Sequence, residues 1–278
     1  MNKNRQRKHA NIRNSQIFFY ITCFCVLALF LVAVFAPLLA PNDPYKTNIL
    51  KQLAPPDSEF PLGTDELGRC ILSRILYGAR TSLFASTFVV IAVFIFGSAL
   101  GTLAGYFGGW VDEILNRVTT IFQAFPRMIL AIGVAGVLGI GLRNTILALC
   151  AVYWTEYARL SRSLVISMKE RTFIKAARVC GESHIGIMVR HIFPNIFPEM
   201  IVTATLDVGT IIMEISALSF LGMGIKTPMA EWGAMMSSGR QYMQSNLSLI
   251  VIPGIAIFLT VIIFNLFGEK LRDYLDLW

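Results

Sequence analysis

A chain of 278 residues with 55% hydrophobic and only 15% charged positions is not a large soluble domain, in which roughly 25% of residues carry charge. Its net charge of +7 comes without a basic run interleaved with aromatics, so it points to an anionic lipid surface and away from nucleic acid. Five cysteines and three histidines fall in no metal-ligand spacing, so neither a zinc site nor a disulfide framework is expected, and the thiols read as packing or adventitious groups.

A helix crossing a bilayer needs ~20 mainly apolar residues, and six windows are candidate spans. Residues 17–36, 81–107 and 247–268 contain no charge; 118–141 contains only Arg127, 144–158 only Glu156, and 196–221 only Glu199, Asp207 and Glu214. An all-α, polytopic membrane protein with six transmembrane helices is therefore expected. The first apolar run is longer than a signal-peptide core and has no small-x-small cleavage site after it, so 15–37 reads as a retained first span behind a tail, 1–14. Five Lys and Arg lie in the first 13 residues and seven between 159 and 193. By the positive-inside rule this places both termini, 1–14 and 271–278, in the cytoplasm.

Residues 38–76 read as an extracytoplasmic loop, rich in proline and turn pairs such as Asn42-Asp43 and Pro55-Pro56. Helical spacing of Leu67, Ile71, Ile75 and Leu76 predicts a short interfacial helix that leads into the second span. Gly63 and Gly68 stand as in a phosphate loop, but Arg69-Cys70 replaces the Lys and Ser or Thr that a Walker A requires. Nucleotide binding by this chain is excluded on that ground. In the second span Gly97, Gly101, Gly105 and Gly109 recur every four residues, a stripe that lets backbones approach closely and is read as packing within one bundle. Pro126 is expected to kink or start the third span, with Arg127 snorkelling to the interface in preference to a role in a pore.

The stretch "KAARVCGESHIGIMVRHIFP", Lys175 to Pro194, is charged and amphipathic where its surroundings are apolar. Its pattern predicts a helix ending at Gly181, a C-cap position, then a second short helix capped by Ser183 and stopping before Pro194, where the fifth span would set off in a new direction. Two such helices at about 171–193 would form a knob at the membrane surface. Its small residues Ala176, Ala177 and Gly181 suit close approach to a protein groove better than anchoring in lipid.

The spacing Ala176-Ala177-x3-Gly181-x12-Pro194 resembles the EAA loop of ABC-importer permeases, with Lys175 in place of the motif's Glu, His191 of its Ile and Phe193 of its Leu. "PLGTDELGR" at 61–69, "YGARTSL" at 77–83, "LSFLGMGIKTPMAEWGAMMSSGRQY" at 218–242 and "FNLFGEKLRD" at 264–273 are similar, in order, to the second permease subunit of dipeptide, oligopeptide and nickel importers. The resemblance implies the type I (MetI-like) permease fold, with a core at 77–270 in the prokaryotic inner membrane. It also implies four partners: a second permease chain, two cytoplasmic ATPases that use ATP and Mg, and an extracytoplasmic solute-binding protein. Lys175, Ala176, Ala177, Gly181, Glu182, His191 and Pro194 would then form the ATPase-coupling segment, and this chain would bind no cofactor.

Asp207 and Glu214 lie two helical turns apart on one face of the fifth span, and charges there usually meet a wet cavity or a partner. They are candidates either for the substrate pathway or for pairing with Arg127 or the second permease. No metal-ligand set is assigned, since the methionines are poor donors for a hard or borderline ion. The surrounding text favours nickel or a metal-chelator complex as cargo, with dipeptides or oligopeptides as the alternative. A secondary transporter would need an internal repeat that is not seen, and no cluster of His, Cys or carboxylates at one membrane face suggests a catalytic residue.

Overall fold

A computed structural model describes residues 2–275, with side chains from residue 16 onward. Apart from one bridge between Thr64 and Cys70, the described residues form helices and irregular loops. The helices are α1 (Asn2–Val34), α2 (Ala36–Leu39), α3 (Ile71–Phe107), α4 (Gly109–Gln123), α5 (Arg127–Leu138), α6 (Leu142–Lys169), α7 (Thr172–Val179), α8 (His184–Gly186), α9 (Phe193–Phe220), α10 (Trp232–Gly239) and α11 (Ser248–Leu275). The basic side chains of the tail lie outside the described residues.

Four helical stretches are long and apolar enough to cross a membrane: Gln16–Val34, Ile71–Phe107, His184–Phe220 and Ser248–Leu275. The window expected as a third span, 118–141, is not one helix. α4 and α5 meet at 90° across a short break at Pro126, which lacks an N–H and holds its own φ at −56°. Together they make at most a fifth crossing. The fourth window lies within α6, whose 28 residues reach about 42 Å at 1.5 Å per residue. Its charges, among them Arg143, Glu156, Arg159 and Arg162, keep it below the apolarity of the others.

α3, α6 and α9 form the centre, where Leu83, Val89, Leu149, Val165, Ile211 and Ile215 are fully buried. The glycine stripe sets the closest of these contacts. A Cβ on Gly97 would stand 2.5 Å from the Trp154 carbonyl oxygen, and one on Gly101 would stand 2.1 Å from that of Ala158. The stripe therefore faces α6 of the same chain. Gly109 lies beyond the end of α3, where a Cβ would meet nothing within 4 Å. α1 packs at the edge, through Phe19 stacked on Tyr274 at 4.6 Å and Phe30 against Phe264. Its outer surface, with Phe18, Phe24 and Leu27 exposed, is the apolar exterior that a lipid environment tolerates.

The interfacial helix expected before the second span is absent as a separate element. Residues from Ile71 run straight into α3, and Arg69 and Arg74, within the stretch read as interfacial, are 1% and 2% exposed. They are drawn inward by Asp65: Arg69 donates to Asp65 at 2.7 Å and to Glu66 at 2.8 Å, while Arg74 lies 3.4 Å from Asp65 and donates to the carbonyls of Pro44 and Pro228. The 38–69 loop is thus an ordered cap. Gly68, at φ 71°, lets the Asn48 carbonyl come where a Cβ would be only 1.8 Å away. The N–H groups of Leu67 and Arg69 are taken by Asp65, which leaves no phosphate cradle here.

Candidate functional site

The 170–194 segment lies at the end of the bundle opposite the 38–69 cap. α7 ends as expected: Gly181 has φ 83°, its N–H donates to Arg178, and the Glu182 N–H reaches back to Ala177, the paired bonds of a glycine C-cap. Ser183 caps the next turn by accepting from the Gly186 N–H at 3.1 Å. The second helix does not stop before Pro194. It continues from α8 through a π-helical stretch, Ile187–Ile192, directly into α9. Pro194 has no N–H to donate into the turn before it, and the wide π turn just ahead of it absorbs the change of register. Only α7 stands apart as a separate short helix.

α7 is held by its one fully buried side chain, Ile174, and turns Phe173, Ala176, Val179 and Cys180 outward. The Tyr106 hydroxyl at the end of α3 meets His184 Nδ1 at 2.9 Å, and the Arg178 guanidinium lies over the Tyr106 ring. Lys169 donates to the Gly105 carbonyl at 3.0 Å. The segment is thereby joined to α3 as well as to α6 and α9. Among the expected residues, Glu182 and His191 come together at 2.6 Å. Lys175, in the position of the motif's acid, pairs with Glu170 at 2.9 Å, and this hydrogen bond holds the Glu170 carboxyl below its usual range. Ala176 and Pro194 are exposed and unengaged in that network.

Asp207 and Glu214 share a face of α9, as their spacing requires, but neither meets Arg127. Tyr157 donates to Asp207 at 2.6 Å and Tyr153 donates to Glu214 at 3.0 Å. The two tyrosines are four apart on α6, so one antiparallel contact serves both acids. Arg127 pairs with Glu156 and lies 5.5 Å from the centre of the Tyr153 ring. Glu156 stands halfway along α6 and Asp207 halfway along α9. A polar cluster thus occupies the middle of the helical layer. Tyr153, Tyr157 and the Arg127–Glu156 pairing escaped sequence reading; the i, i+4 tyrosines beside the lone Glu156 were the available signal.

Glu231 was also missed. Fully buried, it caps α10 by accepting from the N–H groups of Gly233 and Ala234 at 2.9 and 2.8 Å, and it takes hydroxyl contacts from Ser216 and Ser82 at 3.2 and 3.4 Å. Burial pushes its carboxyl up, opposed by those donors. The adjacent Trp232 donates to the Ile75 carbonyl and fills the space left by Gly78. These contacts lock α10 between α3 and α9.

The sequence of residues 97–277 matches the family described as "Binding-protein-dependent transport system inner membrane component", and residues 19–56 match the N-terminal transmembrane domain of oligopeptide transport permease C. The dipeptide transport system permease protein DppC of Alkalihalophilus pseudofirmus is 44% identical over 90% of this chain and 83% of its own length. The nickel transport system permease protein NikC of Escherichia coli K12 is 40% identical over 90% and 91%, and the glutathione transport system permease protein GsiD of Pectobacterium atrosepticum is 40% identical over 90% and 84%. A chain of the MetNI methionine ABC transporter in an inward-facing conformation shares the fold, with a TM-score of 0.57 over 73% of this chain and 97% of its own length at 18% identity. Such subunits are transport components without a cofactor and are not enzymes. The chain belongs to the inner-membrane permeases of binding-protein-dependent ABC importers, among the C-type subunits of the dipeptide, oligopeptide and nickel group.

Proposed function

We propose that this chain forms half of the substrate pathway of an ATP-driven importer. It pairs with a second permease, takes cargo from an extracytoplasmic solute-binding protein, and docks residues 171–193 on one of two cytoplasmic ATPases that use ATP and Mg. In this reading both termini are cytoplasmic and α6 completes six crossings, with its charges turned toward the pathway and the second permease. The observation that carries the reading is α7: a helix anchored by a single buried Ile174, with Ala176 and Val179 left free on its outer side and tied to three spans at its base. A short small-faced helix on a firm base suits a groove in another protein, and rigid-body motion of that groove would move α3, α6 and α9 together.

A di- or oligopeptide is the first cargo. The 44% identity to a dipeptide permease and the presence of a cation, Arg127, beside the mid-layer acids both favour it. Nickel or a metal-chelator complex is the second, supported by the 40% identity to a nickel permease. The test is replacement of Ala176 by Trp in the assembled importer. Ala176 is exposed, so folding is expected to persist while uptake and its coupling to ATP hydrolysis fail; unchanged uptake would remove the docking claim. Gly181 is a poorer probe, because its φ of 83° makes any side chain there strained.

A further inference from the structure

The middle of the helical layer contains two kinds of charged group. Asp207 and Glu214 are each held by a tyrosine hydroxyl. The Arg127–Glu156 pair is different: its side chains are 51% and 39% exposed, although Glu156 stands at the midpoint of α6. Charge in that position must face a wet cavity or a partner. Taking either member from the other leaves its charge without a counter-charge in the middle of the helical layer.

Resting on the pathway reading above, we propose that Arg127 and Glu156 form a transit site for a short peptide that carries one carboxylate and one ammonium. The peptide carboxylate takes the guanidinium of Arg127 in a two-pronged contact, and its ammonium takes Glu156. The two internal charges part only as they are replaced, so compensation holds throughout. A bare divalent cation on Glu156 would instead strand Arg127. The ring of Tyr153 beneath the guanidinium steadies Arg127, and the same tyrosine's hydroxyl keeps Glu214 occupied. The exchangeable charges are therefore the pair, and Asp207 and Glu214 serve as its acidic surround.

The experiment uses the complete importer in proteoliposomes, with both permeases, both ATPases and the binding protein, and dialanine as probe. Glu156→Gln and Arg127→Gln are each expected to lower ATP-driven uptake by about tenfold or more, the loss of one charged hydrogen bond to the peptide. The exchange Arg127→Glu with Glu156→Arg is expected to restore much of it, because a zwitterion can bind reversed. Wild-type uptake in both single variants overturns the site, as does an exchange variant that assembles fully and does not recover. Import by the wild type of Ni²⁺ but not dialanine, or of neither, overturns it too. Should the variants fail to assemble, the wild type decides: dialanine amide, compared at equal loading of the binding protein, is expected to enter about tenfold more slowly for want of the carboxylate, and equal entry refutes the proposal. Dialanine uptake that needs no ATPase would instead refute the importer reading and leave the pair untouched.

Discussion

Two regions of this molecule place charge inside a membrane protein, and they do it in opposite ways. At the 38–69 cap and the starts of α3 and α10, Asp65, Arg69, Arg74 and Glu231 are buried, and Arg69 and Glu231 each engage more than one partner. In the middle of α6 and α9, the Arg127–Glu156 pair is half open and Asp207 and Glu214 each hang on a single hydroxyl. A saturated, buried charge is committed to one arrangement, because nothing can replace its partners without leaving a charge unpaired. A half-open pair can exchange. The first region reads as architecture and the second as a place where something passes.

That contrast can be broken in order of expected effect. Arg69→Ala leaves Asp65 buried without its closest partner and is expected to cost about 3–5 kcal/mol, read as a large fall in folded yield and in Tm; a Tm near wild type would dissolve the distinction. Glu231→Ala strands two buried N–H groups at about 1–3 kcal/mol each, again a loss of folding with no separate effect on uptake per folded complex. Ala176→Trp reverses the pattern: Tm stays close to wild type, as surface changes shift stability by about ±0.5 kcal/mol, while uptake fails.

A pH series sharpens the same point. The Glu231 carboxyl titrates above its usual 4.5 in the folded chain, so the folded state holds the proton more tightly than the unfolded one. Its contribution is greatest below the unfolded value and is lost as pH rises through the raised folded value. Glu231→Gln is expected to flatten that part of a Tm-against-pH profile; an unchanged slope would assign the dependence elsewhere. The smallest effect is expected for Lys175→Ala. Its exposed pair with Glu170 is of the kind worth about 0–1 kcal/mol, so Tm should barely move, and any loss of uptake reports on ATPase docking alone.

Much of the outer frame was legible in the chain because it follows from local chemistry. Four of the six apolar windows, the Gly181 cap, the Ser183 cap and the break at Pro126 depend on neighbours in sequence, and each stands where its residues require. The ordered motifs along the chain carried the permease family for the same reason. What failed were readings that treated a charge or a proline by its usual habit. Arg74 falls in the stretch read as an interfacial helix and is buried by Asp65, nine residues earlier, and by the carbonyls of Pro44 and Pro228. Pro194 was expected to end a helix and instead lies within a continuous one, just after the π-helical turn that accommodates its missing N–H.

Which charges meet could be decided only in three dimensions. The α3–α6–α9 packing brings Tyr157 to Asp207 and Tyr153 to Glu214, and the right-angle turn at Pro126 carries Arg127 to Glu156. These partners lie between 29 and 61 residues apart, beyond the reach of helical periodicity. By itself the sequence determined four of the spans, the Gly181 and Ser183 caps and the family, since those depend on residue type and short spacing. The tertiary structure decided which buried charges are locked and which pair is left open, because pairing energy depends on distance and on access to water, and neither is written along the chain.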